Sequence, residues 1–198
     1  MKHVDTQVWR PLDALEDEQL TDSTLVVLTA DHGETLDEHD LFYTHGALYE
    51  EDLRIPLMVH IPGAAAGRHD GFVSTVDIVP TLEGAMGFQL RRNSGGLSLM
   101  GAILPAEAEA GLDALAQCDV FVHQQAHNHS AAVRQGEWKL WWPITGDESL
   151  PLTEPQLFSL REDPGETRNL FHDEPERAAA LERSYGPGSR CRGSRRAV

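Results

Sequence analysis

The chain has 198 residues, with 16 Lys and Arg against 32 Asp and Glu, for a net charge of −16. That length suits one domain, or a large and a small lobe, with a real core, and 40% hydrophobic residues argue against disorder. The charge opposes general binding to nucleic acid or anionic membranes, the longest apolar run (Leu25–Leu28) is far too short to cross a bilayer, and two cysteines exclude a disulfide framework.

In chain order, residues 5–20 predict an amphipathic helix with Val8, Leu12 and Leu15 on one stripe, which Pro11 limits. No apolar signal core follows Met1; taken as a true start, Met1 places the chain in the cytoplasm. Residues 24–29 are apolar and rich in β-branched side chains, the pattern of a strand buried on both faces in a parallel sheet. Residues 34–52 are polar and predict loop with a short helix at 47–53. Ile55 to Ile61 predicts a second strand, with Pro56 at its first turn or on an edge. Val76 to Leu82 opens a helix whose first turn holds Pro80. Asp119 to His123 predicts a third strand. Residues 130–133 and 137–142 flank Gln135-Gly136 as an antiparallel hairpin. A strand at 156–160, a turn at Asp163-Pro164-Gly165 and a helix at 173–184 follow.

The expected fold class is α/β: a partial three-layer αβα sandwich with a mostly parallel sheet over 1–128, then a small antiparallel subdomain with a terminal helix over 129–182. Residues 183–198 hold five arginines and no acid, so they read as a basic, unfolded tail on a more acidic body. The sequence sets no oligomeric state.

Chemistry concentrates at Asp31-His32, directly after the first strand. In open α/β sheets ligands sit beyond the carboxyl ends of strands. There a carboxylate oxygen and a neutral imidazole nitrogen can share one cation. Read as residues alone, the same pair is also a turn with solvated side chains. His45 either donates to an oxyanion and protonates a leaving group, or caps the following helix. Arg54 either binds an anion or pairs with a carboxylate such as Glu50, its i−4 neighbour, and the salt bridge is the favoured reading. Asp77 reads as a helix cap, Trp138, Trp141 and Trp142 as packing rather than sugar-stacking groups, and Cys118 as a buried strand-edge thiol. His127 and His129 read as a polar loop, since no nearby acid completes a metal set. No G-x-S-x-G, P-loop, G-x-G-x-x-G or H-E-x-x-H is present.

Several blocks in register resemble the sulfatase family, within the alkaline-phosphatase-like superfamily. Asp22 to Glu34 is similar to its strand-to-metal-site segment, followed by Leu36, Glu38 and His39 in an L-x-E-H pattern. His45-Gly46, Tyr49-Glu50, Arg54, Pro56 and Pro62-Gly63 match the pattern HG-x-x-YE-x-x-x-R-x-P…PG. Val76 to Leu82 resembles its VDI-x-PT-L helix start, and Gly96 to Leu99 is a weaker echo. Ala132 to Leu140, Leu157 to Leu160 and the Asp163-Pro164, Glu166, Asn169-Leu170 turn resemble its C-terminal strands. The resemblance covers residues 5–172.

The resemblance implies hydrolysis of small anionic sulfate esters, with Asp31 and His32 as metal ligands and His45 contacting the sulfate. The implied cation is Ca²⁺, with Mn²⁺, Mg²⁺ or Zn²⁺ as alternatives. The family's nucleophile is a formylglycine made from Cys or Ser in a C/S-x-P-x-R segment, which these 198 residues do not contain. Cys191 to Arg195 is a chance likeness in an Arg/Ser/Gly-rich stretch. Two other readings follow: a phosphodiesterase, phosphonate or phosphate monoester hydrolase of the same superfamily, or a catalytically inactive truncated or interaction protein. The expectation is that this chain alone has negligible esterase activity, because half a metal shell without a nucleophile lacks the covalent step.

Overall fold

The structure, a computed structural model, describes residues 2–90, 95–104, 120–124, 130–143, 154–185 and 195–196. Helix α1 (Lys2–Asp17) runs through Pro11 and buries none of its residues. Strand β1 (Val26–Thr29) pairs with β2 (Leu57–His60), and between them lies the one-turn helix α2 (Glu50–Leu53). Helix α3 (Ile78–Met86) carries Pro80 in its first turn, where no intrahelical N–H is lost. The short α4 (Met100–Ile103) follows.

A second sheet is built from β3 (Val120–Gln124), β4 (Ser130–Gln135), β5 (Trp138–Pro143), β6 (Gln156–Ser159) and β7 (Arg195–Arg196). Its order is β6-β5-β4-β3-β7. Helix α5 (Pro175–Ser184) closes the described elements. The β4–β5 hairpin is held in register by Gln135↔Trp138, and Gly136 takes the positive φ (58°) that a two-residue turn favours.

The architecture is mixed α/β, but its described pairings differ from the expected parallel sheet. β1 and β2 are antiparallel, with Val26↔His60 and Thr29↔Leu57. The second sheet is antiparallel except where β7, within the 183–198 stretch, runs parallel to β3. β1 is half-buried along Val26–Leu28 with Thr29 exposed, so its apolar run is not sandwiched between two layers. An apolar run records burial, not the direction of a partner strand. Cys118, His127, His129 and Cys191 lie outside the described residues.

Alternation along β4, β5 and β6 divides the core into two layers. Val133, Leu140 and Leu157 face α5 and meet its Ala178 and Leu181. Trp138 and Trp142 join that layer, Trp138 beneath the Arg177 guanidinium and Trp142 edge-on to Tyr185. On the opposite face Ala132 and Trp141 pack on Leu48, while Phe158 packs with Leu41, Ala47 and Tyr49. The tryptophans therefore fill packing layers. This second layer seats residues 41–53 on the sheet, and those residues carry half of the candidate site.

Asp77 is a cap, as its place in the sequence predicts. Its carboxylate accepts from the Ser74 N–H (2.8 Å) and the Leu97 N–H (2.8 Å), within a reciprocal capping box with Ser74. Among the described residues no helix is long and apolar enough to cross a membrane.

Candidate metal and anion site

Asp31 and His32 follow the end of β1 by two and three residues. The loop then turns against α2: the Gly33 N–H donates to the Asp52 carbonyl at 2.7 Å. A Cβ at Gly33 would lie 1.8 Å from the Glu51 carbonyl oxygen, so only glycine lets the two backbones approach this closely. Within the turn, the His32 N–H donates to Asp31 Oδ1 (3.1 Å), and His32 Nδ1 lies 2.6 Å from the Gly33 carbonyl oxygen. With Nδ1–H donating to that carbonyl, Nε2 keeps its lone pair. Asp31 Oδ2 stands 3.7 Å from Nε2.

These contacts set the charges. Backbone N–H groups of the turn, then His32, hold the Asp31 carboxyl below the usual carboxylate range. The Gly33 carbonyl, then Asp31 and Glu34, raise His32 above the ordinary histidine value.

The second arm is brought back by a narrow bridge between Thr35 and Thr44, with N–H···O contacts of 2.9 and 3.2 Å. Buried Asp52 locks it. Its carboxylate accepts from the Thr35 hydroxyl (2.9 Å) and the Ala47 N–H (3.1 Å), while its carbonyl takes the Gly33 N–H. Burial raises the Asp52 carboxyl, against the pull of those donors. Asp52 thus fixes both arms to each other. His45 lands beside His32, ring centroids 4.1 Å apart and planes 20° apart, with Nδ1 3.5 Å from Glu34 Oε2. Glu34 is the residue that sequence reasoning left without a role; its signal was its place two residues after His32. His39 turns away, stacked at 3.6 Å on Tyr49, with Nε2 3.6 Å from Glu51. Burial pushes the Tyr49 hydroxyl up to about 12, and that hydroxyl donates to Gln156 at 2.8 Å.

Asp31, His32 and His45 open on a cavity of about 640 Å³ whose other walls include Arg54, Arg68, Phe72, Arg134 and Lys139. Arg68 is paired with Asp70 (3.1 Å). The expected Arg54–Glu50 salt bridge does not form. Glu50 is taken by Arg134 (2.6 Å) and Lys139 (3.3 Å), and Arg54 meets Glu50 only through its backbone N–H (2.8 Å). The reason is local: α2 ends at Leu53, and Arg54, at φ −86° and ψ 89°, is off the helical i+4 face. Among the described residues Arg54 has no ion pair, so it lends the cavity wall an uncompensated positive charge. Burial lowers Arg134 from its usual value, with Glu50 pulling the other way, and its guanidinium covers the Phe72 ring at 3.7 Å.

The residues present suit a divalent cation. One carboxylate oxygen and one tautomer-fixed imidazole nitrogen are exposed together beyond a strand end, with further positive groups on the cavity wall.

The sulfatase family model matches residues 1–88. Arylsulfatase K of Xenopus laevis is 31% identical over 179 residues, covering 87% of this chain and 32% of that protein. Choline-sulfatase of Rhizobium meliloti (strain 1021) is 30% identical over 173 residues, covering 86% of this chain and 31% of that protein. The chain thus spans about a third of the length of the curated relatives it matches. Among solved structures, the 2-O GAG sulfatase BT1596 superposes with a TM-score of 0.72 at 24% identity, covering 92% of this chain and 40% of that one. The phosphonate monoester hydrolase of Agrobacterium radiobacter gives 0.66 at 23% identity, covering 91% and 38%. These structures share the fold, and the sequence relatives add the lineage: the chain belongs to the sulfatase family.

Proposed function

We propose that this chain supplies the later part of a sulfate-ester hydrolase, with Asp31 and His32 as two ligands of a divalent cation, Ca²⁺ by preference, and His45 as a contact to the sulfate. The observation that carries the reading is the Asp31–His32 pair, 3.7 Å apart at the end of β1, facing His45 across a ring stack. When bound, the cation would neutralise ester oxygens and hold the anion beside the nucleophile. The chain's own residues do the rest. The Gly33 carbonyl keeps the His32 proton on Nδ1, the Glu34 carboxylate orients His45, and Arg54 draws an anion into an otherwise acidic protein. His45 is suited to donate a hydrogen bond to the sulfate or a proton to the departing alcohol oxygen.

The formylglycine nucleophile implied by the family belongs to a segment outside these 198 residues. In the complete protein β1 and β2 are read as part of a mostly parallel sheet in a three-layer αβα sandwich. Residues up to 104 are read as part of that layer system, while β3 to β6 and α5 form the small antiparallel subdomain, so that its boundary falls before β3 rather than at 128. The substrate is a small anionic ester, with neither nucleic acid nor membrane as partner.

The test uses a polypeptide that joins this chain to a C/S-x-P-x-R segment carrying formylglycine. It should release sulfate from an aryl sulfate in Ca²⁺, and Asp31→Asn should slow release by about 100-fold or more, the scale of losing a charge-stabilising group. Hydrolysis of aryl phosphate or phosphonate in preference to sulfate would move the assignment to the other esterases of the superfamily. Robust turnover by the 198-residue chain alone, abolished by Asp31→Ala, would overturn the placement of the nucleophile.

A further inference from the structure

The hydrolase reading leaves one side chain beside His45 without direct contact to cation or anion. Glu34 sits at the outer edge of the stacked imidazoles, 3.5 Å from His45 Nδ1. One ligand atom from each of His32, Glu34 and His45 lies within 4.8 Å of the other two. Asp31 is not part of that set; its Oδ2 stands 3.7 Å from His32 Nε2.

The donor types differ between the two groupings. Asp31–His32 presents one oxygen and one nitrogen. The His32–Glu34–His45 set presents two imidazole nitrogens and one oxygen. Ca²⁺ and Mg²⁺ favour oxygen ligands, whereas two imidazoles with one carboxylate suit a borderline ion such as Zn²⁺. Around tetrahedral zinc, with bonds of about 2.1 Å, ligand atoms stand roughly 3.4 Å apart. The His45–Glu34 pair already stands at 3.5 Å, and the other separations need to contract by at most roughly 1.4 Å. All three side chains are exposed, so rotation about their own χ angles closes the distance without moving the core. The backbone beneath them is already held, by the Thr35–Thr44 bridge and by Asp52.

We propose that His32, Glu34 and His45 form a zinc-class site, separate from the Asp31–His32 pairing that a hard cation uses. His32 is common to both, so the two cations exclude each other. Zinc in this seat also withdraws His45 from any anion in the cavity. The site itself stands without the hydrolase reading; only that last consequence rests on it.

The experiment is calorimetric titration of the intact 198-residue chain with Zn²⁺ at neutral pH, with folding of each variant checked by circular dichroism. Glu34→Gln and His45→Ala should each weaken the tightest zinc step by about tenfold or more, since losing a ligand costs at least what losing its supporting partner does. Asp31→Asn should leave that step within about threefold of the parent, because Asp31 lies outside the set. Zinc affinity unchanged by both Glu34→Gln and His45→Ala overturns the site. So does a loss on Asp31→Asn equal to that on His45→Ala, because it places the ion on the Asp31–His32 pair. A parallel Ca²⁺ titration separates the two claims: calcium binding that responds to Asp31→Asn and not to Glu34→Gln supports the hydrolase reading whichever way the zinc result falls.

Discussion

His32 does three jobs with one ring. Its Nδ1–H is tied to the Gly33 carbonyl, its Nε2 faces Asp31, and its face covers His45. The carbonyl contact favours the protonated ring, so the native value lies above the ordinary 6.5. Protonated His32 therefore stabilises the folded loop below pH 6.5, and this contribution is lost as pH rises through the raised native value. A cation needs the neutral ring, so its binding should strengthen over that same interval, at higher pH than for an unconstrained histidine. An NMR titration of the histidine resonances, with His32→Gln to assign the signal, checks this. A midpoint below 6.5 would contradict the hydrogen bond. The residue types at the site were legible in the sequence because acid, imidazole and glycine are adjacent there. Glu34's nearness to His45 was not, because it depends on a loop closing over ten intervening residues.

At the scale of elements, the two parts of the chain are joined by charge as well as by packing. Lys139 on β5 is buried, and its ammonium meets Glu166 at 2.8 Å and Glu50 of α2 at 3.3 Å. The Glu166 carboxylate also accepts the Glu50 N–H at 2.6 Å, at the start of that helix. Burial raises Glu166 above the usual carboxylate range, with Lys139 opposing. Lys139→Met should cost about 3–5 kcal/mol, because it leaves a buried carboxylate without its cation. The double variant Lys139→Met with Glu166→Gln should lose less than the sum of the singles. Urea unfolding of the three variants measures both; additive losses would mean that the pair is not coupled. From the sequence, Lys139 is one basic residue between two tryptophans, and strand alternation alone puts it on the layer opposite α5. Its two partners lie far away in the chain, and sequence spacing does not encode such pairings.

For the whole molecule, burial is uneven. The second sheet, α5 and residues 41–53 hold most of the buried apolar side chains. α1 holds none, and its Trp9 is 56% exposed. Removing residues 2–17 should therefore shift the thermal midpoint by less than about 3 °C, the shift that roughly 1 kcal/mol produces at this size. A larger drop in a circular-dichroism melt would show that α1 carries core energy. The β4–β5 hairpin, the Asp77 cap, the terminal helix and the position of Asp31-His32 after a strand were all determined by the sequence itself. Each depends on contacts within a few residues: alternation, a turn glycine, a capping box, a helical stripe. Tertiary structure alone decided that β1 and β2 run antiparallel, that Glu50 chooses Arg134 and Lys139 over Arg54, and that Glu34 joins the two histidines. Those outcomes depend on which distant surfaces share a buried volume, and local propensity carries no record of that.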